Sequence, residues 1–387
     1  MTPPPASSAG PGLLLDVFPG LFPGGGIGRY VRDLADLLLT RADAPPARFV
    51  YPRFVDGIQV PYPAERLRPL PLGWRRMRVL LVASALCGLR PDRLYGCPAL
   101  VHSPMGYGPL FSKAKLLITI HDLNAIHHPE WHPLRTRFLV QATMPSAARH
   151  ADLVVCDSEF VRGQVMEAFG VDPARITTVP LAVGPAFRRL PPGAARDHMA
   201  RRFGIEGEFF LHVGTLEPRK NHVGLVAAFE RVRRAGFPGP LVLVGHDGWL
   251  MNPIAARIES SPDSGAIVRI RDADEDDLVA LYSACTAFAF PSLDEGFGLP
   301  PLEAMACGAP CISSNRSSLP EVVGDAAVSL DPGDVEAWAE TLRGLWRDAD
   351  RRATMAAASV ARAQRFTRDR WIARMLEIYR VLLAGAS

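Results

Sequence analysis

The chain has 387 residues, 48% hydrophobic and 21% charged, which suggests about two domains of ordinary globular composition. Its 43 basic and 40 acidic residues leave a formal net charge of +3, too balanced for nucleic acid to be the main partner. The longest mostly apolar run, Val79–Leu89, is too short to span a bilayer as a helix.

Residues 1–11 have neither a basic nor an apolar leader region and read as a disordered lead-in, not a signal peptide. From Leu13 to Phe18 an apolar run predicts a buried strand. The glycine-rich stretch Gly24–Gly28 follows, then Tyr30, Val31, Leu34, Leu37 and Leu38 at helical spacing to about Thr40. The opening is therefore strand, glycine loop, helix. Further strands are expected at Ala99–His102, Leu116–Ile120 and Ala151–Cys156, and helices at Pro133–Arg149 and Glu159–Phe169. This alternation argues for a parallel sheet covered by helices.

A second series begins with a strand at Phe209–Val213 and a helix capped by Asn221. Strands at Leu241–Val244, Ala266–Ile270, Ala287–Phe290 and Pro310–Ser313 are expected, with helices at Asp276–Cys285 and Pro301–Cys307. The fold class is α/β, with two doubly wound parallel-sheet, Rossmann-like domains. Phe187–Gly193 has linker composition, so residues 12–190 and 191–367 form the two domains. The last helix, within 368–387, is expected to pack back on the first. Six cysteines without a CxxC pair suit a reducing, cytoplasmic setting.

Four places carry candidate chemistry. The Gly24–Gly28 loop is either a tight strand–helix turn or a backbone surface for an anion or sugar, with Gly26 at its centre. It does not meet the dinucleotide fingerprint. Second, Val213–Asn221 runs from a strand end to a helix start and holds Gly214, Arg219 and Lys220. The chain has only three lysines, and one stands here. Two adjacent cations at the carboxyl edge of a sheet suit a diphosphate, although a solvated charged turn has the same sequence.

The third is Phe290–Glu303. Pro301 suits the first helical position, which would put Glu303 in the first turn, either complementing the helix dipole or accepting hydrogen bonds from ligand hydroxyls. Glu295 lies on the preceding loop, and Gly296 and Gly298 expose backbone amides beside it. The fourth is His121–Asp122, at the end of an apolar strand, either facing the ligand edge or simply hydrogen-bonded within its loop. The acidic run Asp272–Asp277 reads as a helix start rather than a cation site. His127, His128 and His132 form no metal constellation with His121.

Together these segments resemble the large retaining glycosyltransferase family four, on the two-domain GT-B fold with a cleft between domains. The resemblance runs from about Gly24 to Ala326. Its most specific part is Glu295–Glu303, the family's E-x7-E motif, supported by Val213–Asn221, Ala287–Ser292 and Cys156–Ser158. The resemblance implies a nucleotide-sugar donor bound by the second domain and an acceptor bound by the first. Glu303 would hold the ribose and Glu295 the donor-sugar hydroxyls. Gly296, Phe297, Gly298 and Leu299 would touch sugar and diphosphate through their backbone. Arg219 and Lys220 would stabilise the departing diphosphate beside Gly214, and Ile270 and Arg271 would lie near the base. His121 would sit close to the transferred sugar, and Gly26 and Asp122 toward phosphate or acceptor.

The implied catalytic group is thus His121, Glu295, Arg219 and Lys220, with no metal and no cofactor beyond the nucleotide sugar. The chain departs from the family pattern at Thr215, where many members carry arginine, and at Asp272, where many carry glycine. The Gly214–Asn221 and His121–Glu130 strings resemble bacterial polysaccharide mannosyltransferases, so GDP-mannose is the favoured donor and a glycan or lipid-linked saccharide the acceptor. A UDP- or dTDP-sugar donor, a sugar-nucleotide epimerase, a phosphorylase and a catalytically silent binding protein are the alternatives. Leu72–Leu89 opens with Trp74, Arg75, Arg76 and Arg78 and then turns apolar. It is either an ordinary buried helix or a peripheral contact with anionic membrane at the inner face of the plasma membrane.

Overall fold

The computed structural model describes residues 12–22, 25–54 and 59–385. The expected lead-in and Gly24 lie outside them. The chain divides into two compact units. The first runs up to Pro129, takes in Leu134–Pro180 and resumes from Asp369. The second comprises Glu130–Pro133 and Leu181–Arg368.

The first unit is built on seven parallel strands: β1 (Leu13–Asp16), β2 (Ala47–Phe54), β3 (Leu67–Gly73), β4 (Leu100–Ser103), β5 (Lys115–Ile120), β6 (Leu153–Cys156) and β7 (Ile176–Thr178). They lie in the order β3-β2-β1-β4-β5-β6-β7. Leu13–Leu15 and Leu116–Ile120 are buried throughout, which is why they read as unbroken apolar runs, as strands covered on both faces do. β1 ends at Asp16, and Phe18–Leu21 turns as a short 3-10 helix instead of extending the strand. The helix Gly26–Thr40 buries Tyr30, Val31, Leu34, Leu37 and Leu38, the stripe its spacing predicts.

Periodicity does not reveal β2 and β3, because both contain proline. β3 is an edge strand, where a missing N–H is tolerated, and Pro52 of β2 sits at a register shift. The helix Arg368–Ala384 belongs to this unit from Asp369 on. Its Tyr379 hydroxyl lies 2.8 Å from His102 Nδ1, whose Nε2 lies 2.9 Å from Thr119 Oγ1, which in turn meets the Tyr30 hydroxyl at 3.0 Å. Burial holds the His102 pKa down at about 3, so this buried chain of hydrogen bonds runs through a neutral ring.

The second unit has six parallel strands: β8 (Phe210–Val213), β9 (Leu241–Val244), β10 (Ile267–Ile270), β11 (Ala287–Phe290), β12 (Cys311–Ser314) and β13 (Val328–Leu330). Their order is β10-β9-β8-β11-β12-β13. The acidic run starts the helix Glu275–Ala284 through a capping box between Asp274 and Asp277. The unit begins at Leu181, earlier than the linker expected at 187–193. Leu181 is buried, Val183 donates to the Phe366 carbonyl at 3.1 Å and Leu190 to Ser283 Oγ at 3.1 Å. These bonds fasten the Pro-rich stretch to the second core. Among the described residues no helix is long and apolar enough to cross a membrane, and all six cysteines are free thiols.

Candidate functional site: a carboxylate held by two cations

In the second sheet β8 pairs with β9 on one side and β11 on the other. The loops after β8 and β11 therefore leave the carboxyl edge in opposite directions, the place where open α/β sheets bind ligands. The first loop ends in a 3-10 turn, Pro218–Lys220, and in Asn221, whose φ of 55° and cap on Gly224 N start the next helix. The second loop carries Ser292 and Glu295. The Arg219 carbonyl accepts from Leu293 N at 2.8 Å and Ser292 Oγ at 3.1 Å, so the two loops are sewn together.

Glu295 is the centre. One carboxylate oxygen accepts from Lys220 Nζ and Ser292 Oγ, each at 2.6 Å, and the other meets an Arg219 guanidinium nitrogen at 2.6 Å. Arg219 also reaches Glu217 at 2.7 Å and the Asp294 carbonyl at 2.7 Å. Burial alone would raise the Glu295 pKa, but Arg219, Lys220 and the hydrogen bonds from Lys220 and Ser292 outweigh it and bring it down to about 2. Burial and the neighbouring Arg219 charge lower the Lys220 pKa. Two carboxylates and two cations make the cluster formally neutral.

The E-x7-E partner is placed differently from the sequence expectation. The helix spans Leu299–Ala306, not Pro301–Cys307, so Glu303 lies beyond the first turn, which contains no acidic residue. The helix can start early because the amides of its first turn need no intrahelical partner, which makes Pro300 and Pro301 harmless there. A first-turn dipole role for Glu303 is therefore corrected. Its buried carboxylate accepts from the Tyr282 hydroxyl at 3.3 Å. The prolines also leave Leu299 as the one N–H of that turn.

Gly214 donates to the Val244 carbonyl at 2.8 Å, continuing the sheet. Ile270 ends β10, its carbonyl taken by Gly245 N, and Arg271 pairs with Asp247 at 3.1 Å.

In the first unit His121 follows β5, and its partner is not Asp122. Asp122 accepts from Asn124 N at 3.0 Å and organises its own turn. His121 Nδ1 lies 2.6 Å from Asp157 Oδ2, and Nε2 lies 3.0 Å from the Pro104 carbonyl. β5 and β6 pair in register at Ile120 and Cys156, which brings the next residue of each strand together. Both ring nitrogens face oxygen atoms, an arrangement that a protonated ring satisfies by donating from both. Burial opposes that charge, but Asp157, Asp122 and the Pro104 carbonyl together raise the His121 pKa. Gly26 opens the helix Gly26–Thr40 behind Gly25, whose φ is 73°.

Residues 24–187 match the family described as Glycosyltransferase Family 4, and residues 196–362 match Glycosyl transferases group 1. The O-antigen chain mannosyltransferase B of Escherichia coli is 30% identical over 376 residues, covering 93% of this chain and 97% of that protein. The chain belongs to glycosyltransferase family 4. The serotype-specific mannosyltransferase WbdA of Escherichia coli is 33% identical over 190 residues, 48% of this chain and 23% of that protein. Among solved structures, the sucrose-phosphate synthase of Thermosynechococcus elongatus shares the fold, with a TM-score of 0.75 at 20% identity over 96% of this chain and 99% of that one.

In this glycosyltransferase Asp157, Glu217, Ser292 and Tyr282 surround the expected residues without having been singled out. The first three lie inside strings that carry the resemblance, and a strand-end carboxylate such as Asp157 was the available signal. Gly298 is a further constraint. Its φ is 116°, and an added Cβ would stand 2.7 Å from Leu319 Cδ2. Gly298→Ala is therefore expected to cost about 1–3 kcal/mol, read as a lower urea midpoint.

Proposed function

We propose that this glycosyltransferase moves a hexosyl group, mannose from GDP-mannose in the favoured case, onto a glycan or lipid-linked saccharide with retention at the anomeric carbon. The observation that carries the reading is Glu295 meeting Arg219 and Lys220 at the reversal point of the second sheet. The 30% identity to an O-antigen mannosyltransferase over nearly the whole chain supports the choice of sugar. In this reading Glu303 holds ribose hydroxyls, and Ile270 and Arg271 lie beside the base. The amides of 296–299 and the two cations take the growing charge of the leaving diphosphate. Glu295 keeps the cations ordered before the donor arrives and accepts from a sugar hydroxyl afterwards. The reading assigns His121 to the transferred sugar, and Gly26 and Asp122 to the acceptor. The cations and amides supply the positive charge, so the reading calls for no metal.

The test is a thermal-shift panel of nucleotide sugars without magnesium, since a ligand of the native state raises its melting temperature. A shift with GDP and GDP-mannose alone is expected. A shift with UDP- or dTDP-sugars instead discards the donor and keeps the chemistry. No shift from folded protein turns the reading toward a silent binding protein.

Peripheral membrane contact at the inner face of the plasma membrane belongs to the same proposal. The helix Trp74–Cys87 buries Met77 and Leu81 but leaves Val79 68% and Leu86 65% exposed, with Arg75 and Arg76 exposed at its start. Basic and apolar groups on one outer face suit an anionic lipid surface. Flotation with anionic vesicles is expected for the wild type and lost in the Val79→Asp, Leu86→Asp double variant. No flotation of the wild type overturns the contact.

A further inference from the structure

Lys220 rests on a stack of buried rings. His212 stands one residue before the end of β8, fully buried, and its Nδ1 lies 2.9 Å from the Ala289 carbonyl of β11. Its ring is stacked on Phe290, with 5.6 Å between centroids, and Phe290 is stacked on Phe288 at 5.9 Å. Lys220 Nζ lies over the Phe290 ring, 5.0 Å from its centre. His222, at the start of the helix His222–Arg234, meets His212 edge-on at 4.6 Å.

A carbonyl only accepts, so His212 Nδ1 donates to Ala289 and holds the hydrogen of the ring. Burial above all keeps that ring neutral, with its pKa down at about 4; the Ala289 bond opposes burial and the Lys220 charge adds to it. Nε2 is therefore a bare lone pair. It is sealed from solvent and has no hydrogen-bond partner among the described residues. A Cβ added at Gly214 would stand 3.3 Å from this nitrogen and 3.5 Å from Lys220 Cδ and Cε, so the lone pair and the end of the lysine chain border the same small space. The other charged groups facing Lys220 are Arg219, which disfavours its charge, and Glu295 and Glu217, which favour it. Burial drives the His222 pKa well below its usual value, so His222 faces Lys220 as a neutral ring.

A buried acceptor without a donor is costly, and a lysine ammonium carries three donors. Glu295 takes one of them at 2.6 Å. We infer that His212 is a positioning residue for Lys220: its Nε2 lone pair keeps the neighbouring ammonium charged and takes up one of its N–H groups when Glu295 turns to the donor sugar. The inference rests on the diphosphate role of Lys220 and adds the residue that sustains it. His212 touches no ligand and acts through the lysine.

The chain has only three lysines, so full-length protein carrying lysine labelled with 13C at Cε allows each to be titrated by NMR, with Lys113 and Lys115 as internal references. His212→Phe keeps the ring stack and deletes both nitrogens. His212→Asn keeps a donor for Ala289 and deletes Nε2, and His212→Gln carries an amide oxygen toward the Nε2 position. Lys220 is expected to titrate at lower pH in His212→Phe and His212→Asn than in wild type, and to return toward the wild-type value in His212→Gln. The alkaline limb of the transfer rate is expected to move to lower pH with it, because the charged lysine is the form that serves the diphosphate. A role confined to packing or to the Ala289 bond would leave both unmoved in His212→Asn. The wild type alone supplies a second test: 15N spectra of the His212 ring are expected to show a bare Nε2, and an Nε2–H tautomer overturns the inference. Wild-type Lys220 titration in the folded variants overturns it as well. Thermal shift with GDP and UDP runs in parallel. A lowered Lys220 titration in a protein that no nucleotide shifts upholds the hold of His212 on Lys220 and discards the diphosphate role.

Discussion

Glu295→Ala is expected to abolish transfer and to lower the stability of the second unit by about 3–5 kcal/mol, the range for removing one partner of a buried ion pair. Read as a loop residue, Glu295 looks removable without harm to the fold. In the structure its side chain is 9% exposed, and both Arg219 and Lys220 face it at 2.6 Å. Removing it leaves two cations close together in a site from which water is largely excluded. A urea titration reads the stability, and transfer from a radiolabelled donor reads the activity. Wild-type transfer in a folded Glu295→Ala protein would refute the assigned role, and an unchanged urea midpoint would show that the cations relax into solvent.

The same carboxylate sets an acid dependence. Its folded pKa is about 2, below an unfolded value of about 4.3. The stability it contributes is present above about pH 4.3 and is lost as pH falls through about 2. Glu295→Gln lacks that contribution, so the wild type and the variant are expected to converge in stability across this window.

Asp157→Asn is expected to lower the His121 pKa, since it deletes the charge that offsets burial. Transfer at neutral pH is expected to fall on the order of tenfold, because the ring holds its proton less firmly without the Asp157 charge. The asparagine oxygen can still accept from Nδ1, so ring position and protonation are separated. Chemical-shift titration of the ring reads the first effect, and an unchanged titration would sink the assignment.

The sign for stability is opposite to that of Glu295. The folded His121 pKa is raised, so its contribution is complete below the unfolded value of about 6.5. It is lost as pH rises through the higher folded value.

Several parts of this molecule were legible in the residues. Leu13–Leu15, Leu116–Ile120 and Ala287–Phe290 are short apolar runs because parallel strands are buried on both faces. Ser158, Asn221 and Asp274 announce helix starts by chemistry local to each. The strings around Arg219–Lys220 and Glu295–Glu303 identified the family before any coordinate was needed. β2 and β3 were not legible, because proline signals a turn unless a neighbouring strand or an edge position makes its missing N–H harmless.

The linear order of residues thus determined the strand–loop–helix alternation, the strand ends that carry polar groups, and the family. The tertiary structure decided which of those ends meet. Pairing of β5 with β6 chose Asp157 over Asp122 for His121, and the placing of β8 beside β11 put Glu295 between two cations 75 residues away from one of them. The order of strands in a sheet is set by packing between distant segments, and periodicity within a segment carries no record of its neighbour. Each residue's charge and hydrogen-bonding capacity belong to its own chemistry, while its partner, its pKa and its accessibility belong to the sheet edge on which the fold leaves it.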